Sequence, residues 1–271
     1  MSVMSNLVGQ KKLLATLDSY TLETLPHALL LIGEEGCGKR TFCAYLANRL
    51  QLQIVNVNEA YEAEDLDNYS LCPIPKIYML DMRDFLEKDQ NRFLKFIEEP
   101  SDTCFVVVLM NSEVGILDTI LNRGIKLHFS QYTYEDLKQL AETFHPNFSE
   151  LDYQICRTPG SLLTLDSQAT ASLKNFCEQL LTLHKPMHYG TILEQYTRIN
   201  CYENYDQFDF NSFLNMLAYV AATNYSQTLD ENNYKILKLT QTYLKKVAAA
   251  PKVNKHDFLL SFFTVLYREV I

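Results

Sequence analysis

The feature that most constrains this chain is a glycine-rich segment directly after a short apolar run. Ala28–Ile32 is wholly apolar, and the segment that follows has the spacing G-x-x-x-x-G-K, with glycines at Gly33, Gly36 and Gly38 and with Lys39 at its end. Glycines let successive backbone N–H groups curl around an anion, and a following helix N-terminus favours negative charge. The lysine can reach terminal phosphates. The segment therefore predicts a strand, a phosphate-binding loop and a helix in succession.

The residue after the lysine departs from the usual chemistry of such a loop. The motif requires Ser or Thr there because that hydroxyl ligates Mg²⁺, whereas this chain has Arg40. Arginine has no acceptor lone pair, and Thr41 comes one residue later, about 100° further around a helix. We therefore predict a degenerate nucleotide site that does not hold Mg²⁺ in the usual manner. Residual binding of ATP or ADP stays open.

A second apolar run ends in a carboxylate. Ile77–Leu80 is followed by Asp81, the pattern of a Walker B strand, so we assign Asp81 to the same degenerate site. A hydrolysing enzyme needs a base beside this carboxylate to polarise the attacking water. The next residue is Met82, which has no basic atom. The sequence therefore predicts that hydrolysis is lost.

Five short apolar runs predict the strands of a parallel sheet. They alternate with helical patterns such as Thr41–Leu50 and Phe85–Glu98, and strands that are apolar on both faces are typical of sheets covered on both sides by helices. The predicted strands are Ala28–Ile32, Gln53–Val57, Ile77–Leu80, Phe105–Leu109 and Ile125–Phe129. The predicted fold class is α/β over residues 1–130.

From about residue 131 the strand pattern gives way to helices. Thr133–Asp136 has the pattern of a helix N-cap with an acid three residues on, and Ser161 can cap a helix after the break at Thr158–Gly160. Further helix starts are predicted at Asp230 and Asn254, and stops at Pro186 and Pro251. We predict a small helical segment at 131–168 and an all-α domain at 169–271.

Composition limits the compartment and the partners. The apolar fraction of 47% is ordinary for a globular protein. No run approaches the ~18 apolar residues of a membrane span, and the N-terminus has no apolar signal-peptide core. We therefore expect a cytoplasmic protein with no membrane partner. The seven cysteines include no C-x-x-C pair, so we expect reduced, mostly buried thiols.

The net charge of −9 bears on DNA. Binding to phosphates depends on clustered Lys and Arg, and no run of basic residues is visible. We expect the chain alone to bind DNA weakly, with other chains supplying most of the positive charge.

The segment after Asp81 resembles a known protein family. Phe93–Pro100 resembles the Leu-Leu-Lys-x-Leu-Glu-Glu-Pro stretch of clamp-loader subunits of the AAA+ class. In that family a strand with a polar sensor residue follows, which Asn111 matches. An Ile-Leu-Ser-Arg-Cys stretch comes next, which Ile120–Gly124 resembles. Leu7–Gln10 also resembles the family, and the likeness runs motif by motif over about residues 6–165.

The resemblance implies roles for single residues. Arg123 matches the arginine finger, which in this family reaches the ATP of a neighbouring subunit. The sensor 2 arginine of active members follows a Gly-Ser pair, but after Gly160–Ser161 this chain has no arginine until Arg198. Bacterial members often carry a four-cysteine zinc module before the Walker B strand, where this chain has only Cys72. We therefore expect no zinc, as in a divergent or phage-type member.

Together these matches imply an AAA+ domain at 1–130, a helical lid at 131–168 and a collar at 169–271 that joins a hetero-pentameric ring. Loss of the hydrolytic groups with Arg123 kept is similar to delta-prime subunits of bacterial DNA polymerase III clamp loaders. The resemblance implies a non-hydrolysing stator that requires no cofactor. Its partners would be the other loader subunits, with DNA and the sliding clamp in the assembly.

Three alternatives stay open. An active gamma- or tau-like clamp-loader ATPase would have to tolerate Arg40 and Met82. A small-molecule P-loop kinase would need an acceptor pocket and a cluster of arginines, and no such cluster is visible. A DNA-binding adaptor outside any ring is disfavoured by the net charge of −9.

Overall fold

The computed structural model describes residues 8–60, 73–98, 101–144, 148–182, 190, 210–249 and 255–269. The chain divides into two compact units. The first comprises Met1–Asn147 with Cys156–Thr164, and the second comprises Phe148–Ile155 with Leu165–Ile271. The division into parts at 1–130, 131–168 and 169–271 stays a prediction.

The first unit contains a five-stranded sheet whose strand pairs are all parallel. The strands are β1 Ala28–Ile32, β2 Gln53–Asn56, β3 Lys76–Asp81, β4 Cys104–Met110 and β5 Ile125–His128. Their order across the sheet is β2-β3-β4-β1-β5. The predicted α/β class and all five predicted strands are therefore confirmed, each within a residue or so of its predicted ends.

The central strands are apolar throughout because both faces of the sheet are covered. Leu29 and Leu31 of β1 pack into one apolar cluster, with Phe42 of the helix after the loop. Leu30, between them, points to the other face and packs into a second cluster with Phe93. Side chains alternate between faces along a strand, so a strand between two cores has no polar position.

The helices are, in chain order, α1 Lys11–Ser19, α2 Lys39–Leu50, α3 Val57–Ala60, α4 Glu87–Gln90, α5 Leu94–Glu98, α6 Asp118–Leu121, α7 Tyr134–Phe144, α8 Glu150–Ile155, α9 Pro159–Leu163, α10 Ser167–Thr182, α11 Phe210–Thr228, α12 Glu231–Ala249 and α13 Lys255–Glu269. None of these described helices is long and apolar enough to cross a membrane.

The predicted helix Phe85–Glu98 is shorter and interrupted. Phe85 and Leu86 have extended backbone dihedral angles, so helical structure begins at Glu87. A 3₁₀ turn at Asn91–Phe93 then separates α4 from α5. Phe85 packs edge-on against the buried Phe93, with ring centroids 4.7 Å apart. This contact holds the start of the segment against the core rather than in a helix.

The second unit is helical in its described residues, and its core is rich in aromatic side chains. Phe213 of α11 packs against Phe262 of α13, with ring centroids 5.9 Å apart, and Tyr243 of α12 packs against the same Phe262. The predicted start at Asp230 is confirmed, because its carboxylate accepts a hydrogen bond from the backbone N–H of Asn233. The boundaries predicted at Pro186, Pro251 and Asn254 lie outside the described residues.

The described cysteines are buried, as expected from the sequence. The described free cysteines, all buried, are Cys37, Cys43, Cys104, Cys156 and Cys177. Cys72 and Cys201 lie outside the described residues. Burial of a neutral thiol requires no partner, so these cysteines contribute to packing.

Side-chain carboxamides join segments that are distant in sequence. Gln10, only 1% exposed, donates from Nε2 to the carbonyl of Ser130 at 2.8 Å and accepts from the Ser130 N–H at 2.9 Å. Asn58 makes the same pair of bonds with the backbone of Asp81. A carboxamide can replace a strand's backbone partner because it carries both a donor and an acceptor.

We expect Gln10→Leu to lower the free energy of unfolding by about 1–3 kcal/mol, since the Ser130 backbone groups lose their partner. Urea unfolding followed by circular dichroism measures this difference. The control Gln139→Leu changes an exposed glutamine and should stay within about 0.5 kcal/mol of the parent. Equal losses in both variants would contradict the bridging role of Gln10.

Candidate functional site

The glycine-rich loop lies between β1 and α2. Gly36 and Gly38 have φ angles of +77° and +98°, which side chains other than hydrogen rarely allow, and Gly38 is the N-cap of α2. At Gly33 an added Cβ would lie 2.7 Å from the Cβ of Phe129. The three glycines are therefore required by backbone conformation or by close packing.

The ammonium group of Lys39 is held by the loop itself. It donates to the carbonyl oxygens of Gly33 at 2.6 Å and Glu34 at 3.0 Å, and to Oδ1 of Asn111 at 3.1 Å. Burial lowers the pKa of Lys39 from its ordinary value. The structure thus brings together two residues assigned to the site 72 positions apart, with the lysine turned toward the protein's own oxygens.

Asp81, at the end of β3, is 1% exposed and is held by two arginines. Arg83 makes a bidentate contact, with Nε 2.8 Å from Oδ1 and Nη2 2.6 Å from Oδ2. Arg40 donates to the same Oδ2 at 3.2 Å. Both carboxylate oxygens therefore accept hydrogen bonds from guanidinium groups.

Charge pairing dominates the electrostatics of this carboxylate. Burial alone would raise the pKa of Asp81, but the hydrogen bonds from Arg83 and Arg40 outweigh burial and lower it. The same contact raises the pKa of Arg83. Asp81 is therefore ionised and neutralised within the chain.

The donor set does not fit Mg²⁺. The ion requires oxygen ligands in near-octahedral geometry, yet Asp81 is already saturated and Arg40 offers none. Within the described part of the chain, no hydrogen bond joins Thr41 to this cluster, and no group of three or more His, Cys, Asp or Glu side chains is placed to hold a metal ion. The arginines carry the positive charge that a cation would supply beside Asp81.

Met82 faces away from the site. Its side chain is 2% exposed and belongs to the apolar cluster that contains Phe93. The position at which the resemblance implies a catalytic base is thus directed into the core.

The start of α9 packs directly on the loop. The N–H of Gly160 donates to the carbonyl of Gly36 at 3.0 Å, and a Cβ at Gly160 would lie 2.5 Å from the Cα of Gly36. The predicted cap at Ser161 is corrected: Thr158 is the N-cap, and Ser161 completes the capping box from inside the helix. Pro159 explains the shift, because proline favours the first position of a helix.

A further contact on the loop comes from Tyr132. Its hydroxyl donates to the carbonyl of Cys37 at 2.8 Å. Burial raises the pKa of Tyr132 to about 12, so the phenol stays protonated and can donate. Tyr132 and Gly160 thus attach the loop to two later segments of the same unit.

Arg123 lies apart from this cluster, between α6 and β5. Its Nε is 3.2 Å from Oε1 of Glu98, and its side chain is 53% exposed. An ion pair this exposed contributes about 0–1 kcal/mol, so the guanidinium can exchange Glu98 for another anion at little cost.

Sequence reasoning missed Arg83, Tyr132 and the contact between Gly36 and Gly160. A signal existed only for Arg83, which comes two residues after Asp81 in a tight turn where its side chain can fold back. The other contacts join segments about 95 or more residues apart in sequence. Nothing in the local sequence predicts them.

Comparisons with known proteins agree with this architecture. A family model described as "DNA polymerase III, delta subunit" matches residues 64–133. The sliding-clamp-loader large subunit of Escherichia phage RB69 is 27% identical over 123 residues, which cover 41% of this chain and 38% of that protein. The match therefore spans well under half of the phage protein.

Solved structures of RuvB variants from Thermotoga maritima are also similar. One has a TM-score of 0.50 and 16% identity, covering 70% of this chain and 83% of that chain. A second has a TM-score of 0.48 and 16% identity, covering 69% and 81%. At this identity the first shows the fold alone. The two sequence matches make the chain similar, over part of its length, to subunits of a sliding-clamp loader and of DNA polymerase III.

We expect Arg83→Met to lower the free energy of unfolding by about 1–3 kcal/mol near neutral pH, since it leaves a buried carboxylate with only Arg40. The folded-state pKa of Asp81 lies below its ordinary value of 3.8. The pair therefore stabilises the fold fully above that value and loses its effect as pH falls further.

Urea unfolding from pH 7 to pH 3 measures this dependence. The difference between parent and Arg83→Met should be constant down to about pH 5 and shrink in stronger acid. Arg40→Met is the matched control and should have the smaller effect, because the Arg40 side chain is 59% exposed. A difference that does not change with pH would contradict the pairing with ionised Asp81.

Proposed function

We propose that this chain is a non-hydrolysing, stator-type subunit of a sliding-clamp loader, similar to delta-prime subunits of DNA polymerase III. In this role it would present Arg123 to the nucleotide site of a neighbouring ATPase subunit. Its partners would be the other subunits of a hetero-pentameric ring, with the sliding clamp and DNA in the assembly. It would act in DNA replication without turning over nucleotide itself.

The observation that carries this proposal is the occupation of Asp81 by two guanidinium groups. ATP hydrolysis in this class requires Mg²⁺ to bridge the phosphates and neutralise developing charge. Arg83 and Arg40 take the carboxylate oxygens that would otherwise help to hold the ion. A working ATPase, the first alternative, would need that carboxylate free.

The comparisons support a place in a clamp-loader assembly, and they do not distinguish a delta-prime subunit from other subunits. The phage relative is by its name a subunit of a sliding-clamp loader, and the family model is by its description a subunit of DNA polymerase III. Both names point to a multi-subunit machine. Membership of such a ring for this chain follows by analogy.

The position of Arg123 supports a role in trans. Its guanidinium is half-exposed and, among the described residues, pairs with one carboxylate, that of Glu98. An arginine supplied to a neighbour's site stabilises the charge that develops on the transferred phosphoryl group. A weakly held, exposed guanidinium suits that role better than one fixed in a buried network.

Nucleotide-binding measurements test whether Arg83 and Arg40 keep Mg²⁺ and ATP out of the site. We expect no ATP turnover by the chain alone near the ~1 s⁻¹ lower end of typical enzymes. Arg40→Thr alone should not introduce Mg²⁺-dependent ATP binding, because Arg83 still holds Asp81. Arg40→Thr with Arg83→Met frees the carboxylate and should make ATP affinity depend on Mg²⁺, without hydrolysis.

Calorimetry with ATP, with and without Mg²⁺, and a coupled ATPase assay measure these outcomes. Turnover near 1 s⁻¹ by the parent chain would contradict the stator role. If the double variant binds no better with Mg²⁺, the packing of Gly160 on the loop closes the site, rather than the arginines.

We expect Arg123→Ala to leave stability within about 0.5 kcal/mol of the parent and to permit assembly. In the reconstituted loader, single-turnover hydrolysis at the neighbouring site should fall about 10³-fold or more. Arg123→Lys should rescue poorly, because an ammonium lacks the planar fork.

Two controls accompany this variant. Glu98→Gln removes the carboxylate that pairs with Arg123 within the described part of the chain, and should leave the neighbour's rate at least at the parent level. Arg92→Ala removes another exposed arginine of the same unit and should have no effect. Parent-like hydrolysis by the Arg123→Ala loader would refute the finger role.

A further inference from the structure

Helix α12 carries lysines along its exposed side. The four, which we call the lysine stripe, are Lys235, Lys238, Lys245 and Lys246. All four are exposed. Only Lys245 and Lys246 are adjacent in sequence, so the stripe is not visible as a run of basic residues.

The helical period places these lysines together. At 100° per residue they fall within an arc of about 100°, and they extend over about 16 Å of the helix axis. Ile236, Thr240 and Tyr243 occupy the opposite side and are buried. The stripe is therefore the solvent-facing side of a helix whose other side is fixed in the core.

The stripe has little internal neutralisation. Among the described residues, its one ion pair joins Lys235 to Glu231 at 3.8 Å, at the beginning of the helix. Lys246 lies over the ring of Tyr243, 4.4 Å from its centroid. An ion pair of the same i, i+4 kind joins Lys174 to Glu178 in α10.

The rest of the chain makes this concentration unusual. Residues 165–271 contain equal numbers of basic and acidic residues, so the net charge of −9 arises wholly from residues 1–164. An acidic chain that keeps lysines on one face without interspersed acids presents a local positive surface.

We propose that the lysine stripe binds the phosphodiester backbone of DNA, without reading sequence. A DNA strand carries one negative charge per about 3.4 Å of axis, so about five phosphates lie along the length of the stripe. The choice of DNA as the polyanion rests on the proposed clamp-loader function. Lysine is suited to this contact because it acts as a point charge with no demand on geometry.

The composition of the stripe disfavours a protein partner. Protein interfaces have apolar or aromatic cores from which lysine is depleted. Between Lys238 and Lys245 the exposed positions are Gln241 and Thr242, which are polar and uncharged. The surface thus offers mainly charge and hydrogen bonding, with Tyr234, 49% exposed, at its edge.

The experiment measures binding of the full chain to a fluorescent 20-base-pair duplex by anisotropy, between 20 and 150 mM NaCl. We expect weak binding whose affinity falls steeply with salt, with a log–log slope of about −3 to −4 for four phosphate contacts. Changing all four lysines to glutamine should bring the slope near zero and weaken binding at 50 mM NaCl at least about 10-fold.

A matched control has the same change of net charge elsewhere. Replacing the exposed Lys11, Lys12, Lys88 and Lys95 by glutamine should alter affinity less than about 3-fold and keep the slope. Equal losses in both variants would overturn the proposal, because net charge alone would then explain binding. No binding by the parent at 20 mM NaCl would also overturn it.

If the four substitutions impair folding, a variant with two substitutions tests the same proposal. Lys238→Gln with Lys245→Gln should remove about half of the salt slope. Circular dichroism of each variant verifies its fold. If these variants retain DNA affinity but fail to join the loader, the stripe contacts protein and the proposal is wrong. ATP plays no part in these measurements, so their failure is separate from that of the proposed function.

Discussion

The neutralisation of Asp81 is the interaction on which the rest of the site depends. A buried carboxylate without a counter-charge is strongly unfavourable, and a bound metal ion is one way to supply that counter-charge. Here Arg83 and Arg40 serve it. Because Arg83 also pairs with Glu35 at 2.7 Å, one carboxylate links the end of β3 to the glycine-rich loop and to the first turn of α2.

Much of the fold could be predicted from the sequence because both faces of the sheet are buried. Runs such as Phe105–Leu109 are apolar at every position, and their short length distinguishes them from helices. The interrupted segment Phe85–Glu98 could not be predicted in detail. Its helical pattern is real, but the packing of Phe85 on Phe93 is a tertiary contact that overrides local propensity at the beginning of the segment.

The site was predictable in its parts and not in its connections. Motif spacing pointed to Lys39 and Asp81, and the family resemblance pointed to Asn111, which the structure places against Lys39. Arg40, where the motif has Ser or Thr, predicted that Mg²⁺ is not held in the usual manner. The sequence did not indicate that Arg40 turns to Asp81, because that contact joins segments 41 residues apart. The lysine stripe escaped notice for a related reason: helical geometry, rather than proximity in sequence, gathers its members.

The burial of Met82 has a consequence for substitutions at this site. A glutamate introduced at this position would place its charge in the apolar cluster around Phe93, and a threonine introduced at Arg40 would leave Asp81 still held by Arg83. Removing Arg83 first would strip the carboxylate of its main partner. No single substitution among these three positions would therefore give both an unpaired Asp81 carboxylate and a base beside it, so the three side chains constrain one another.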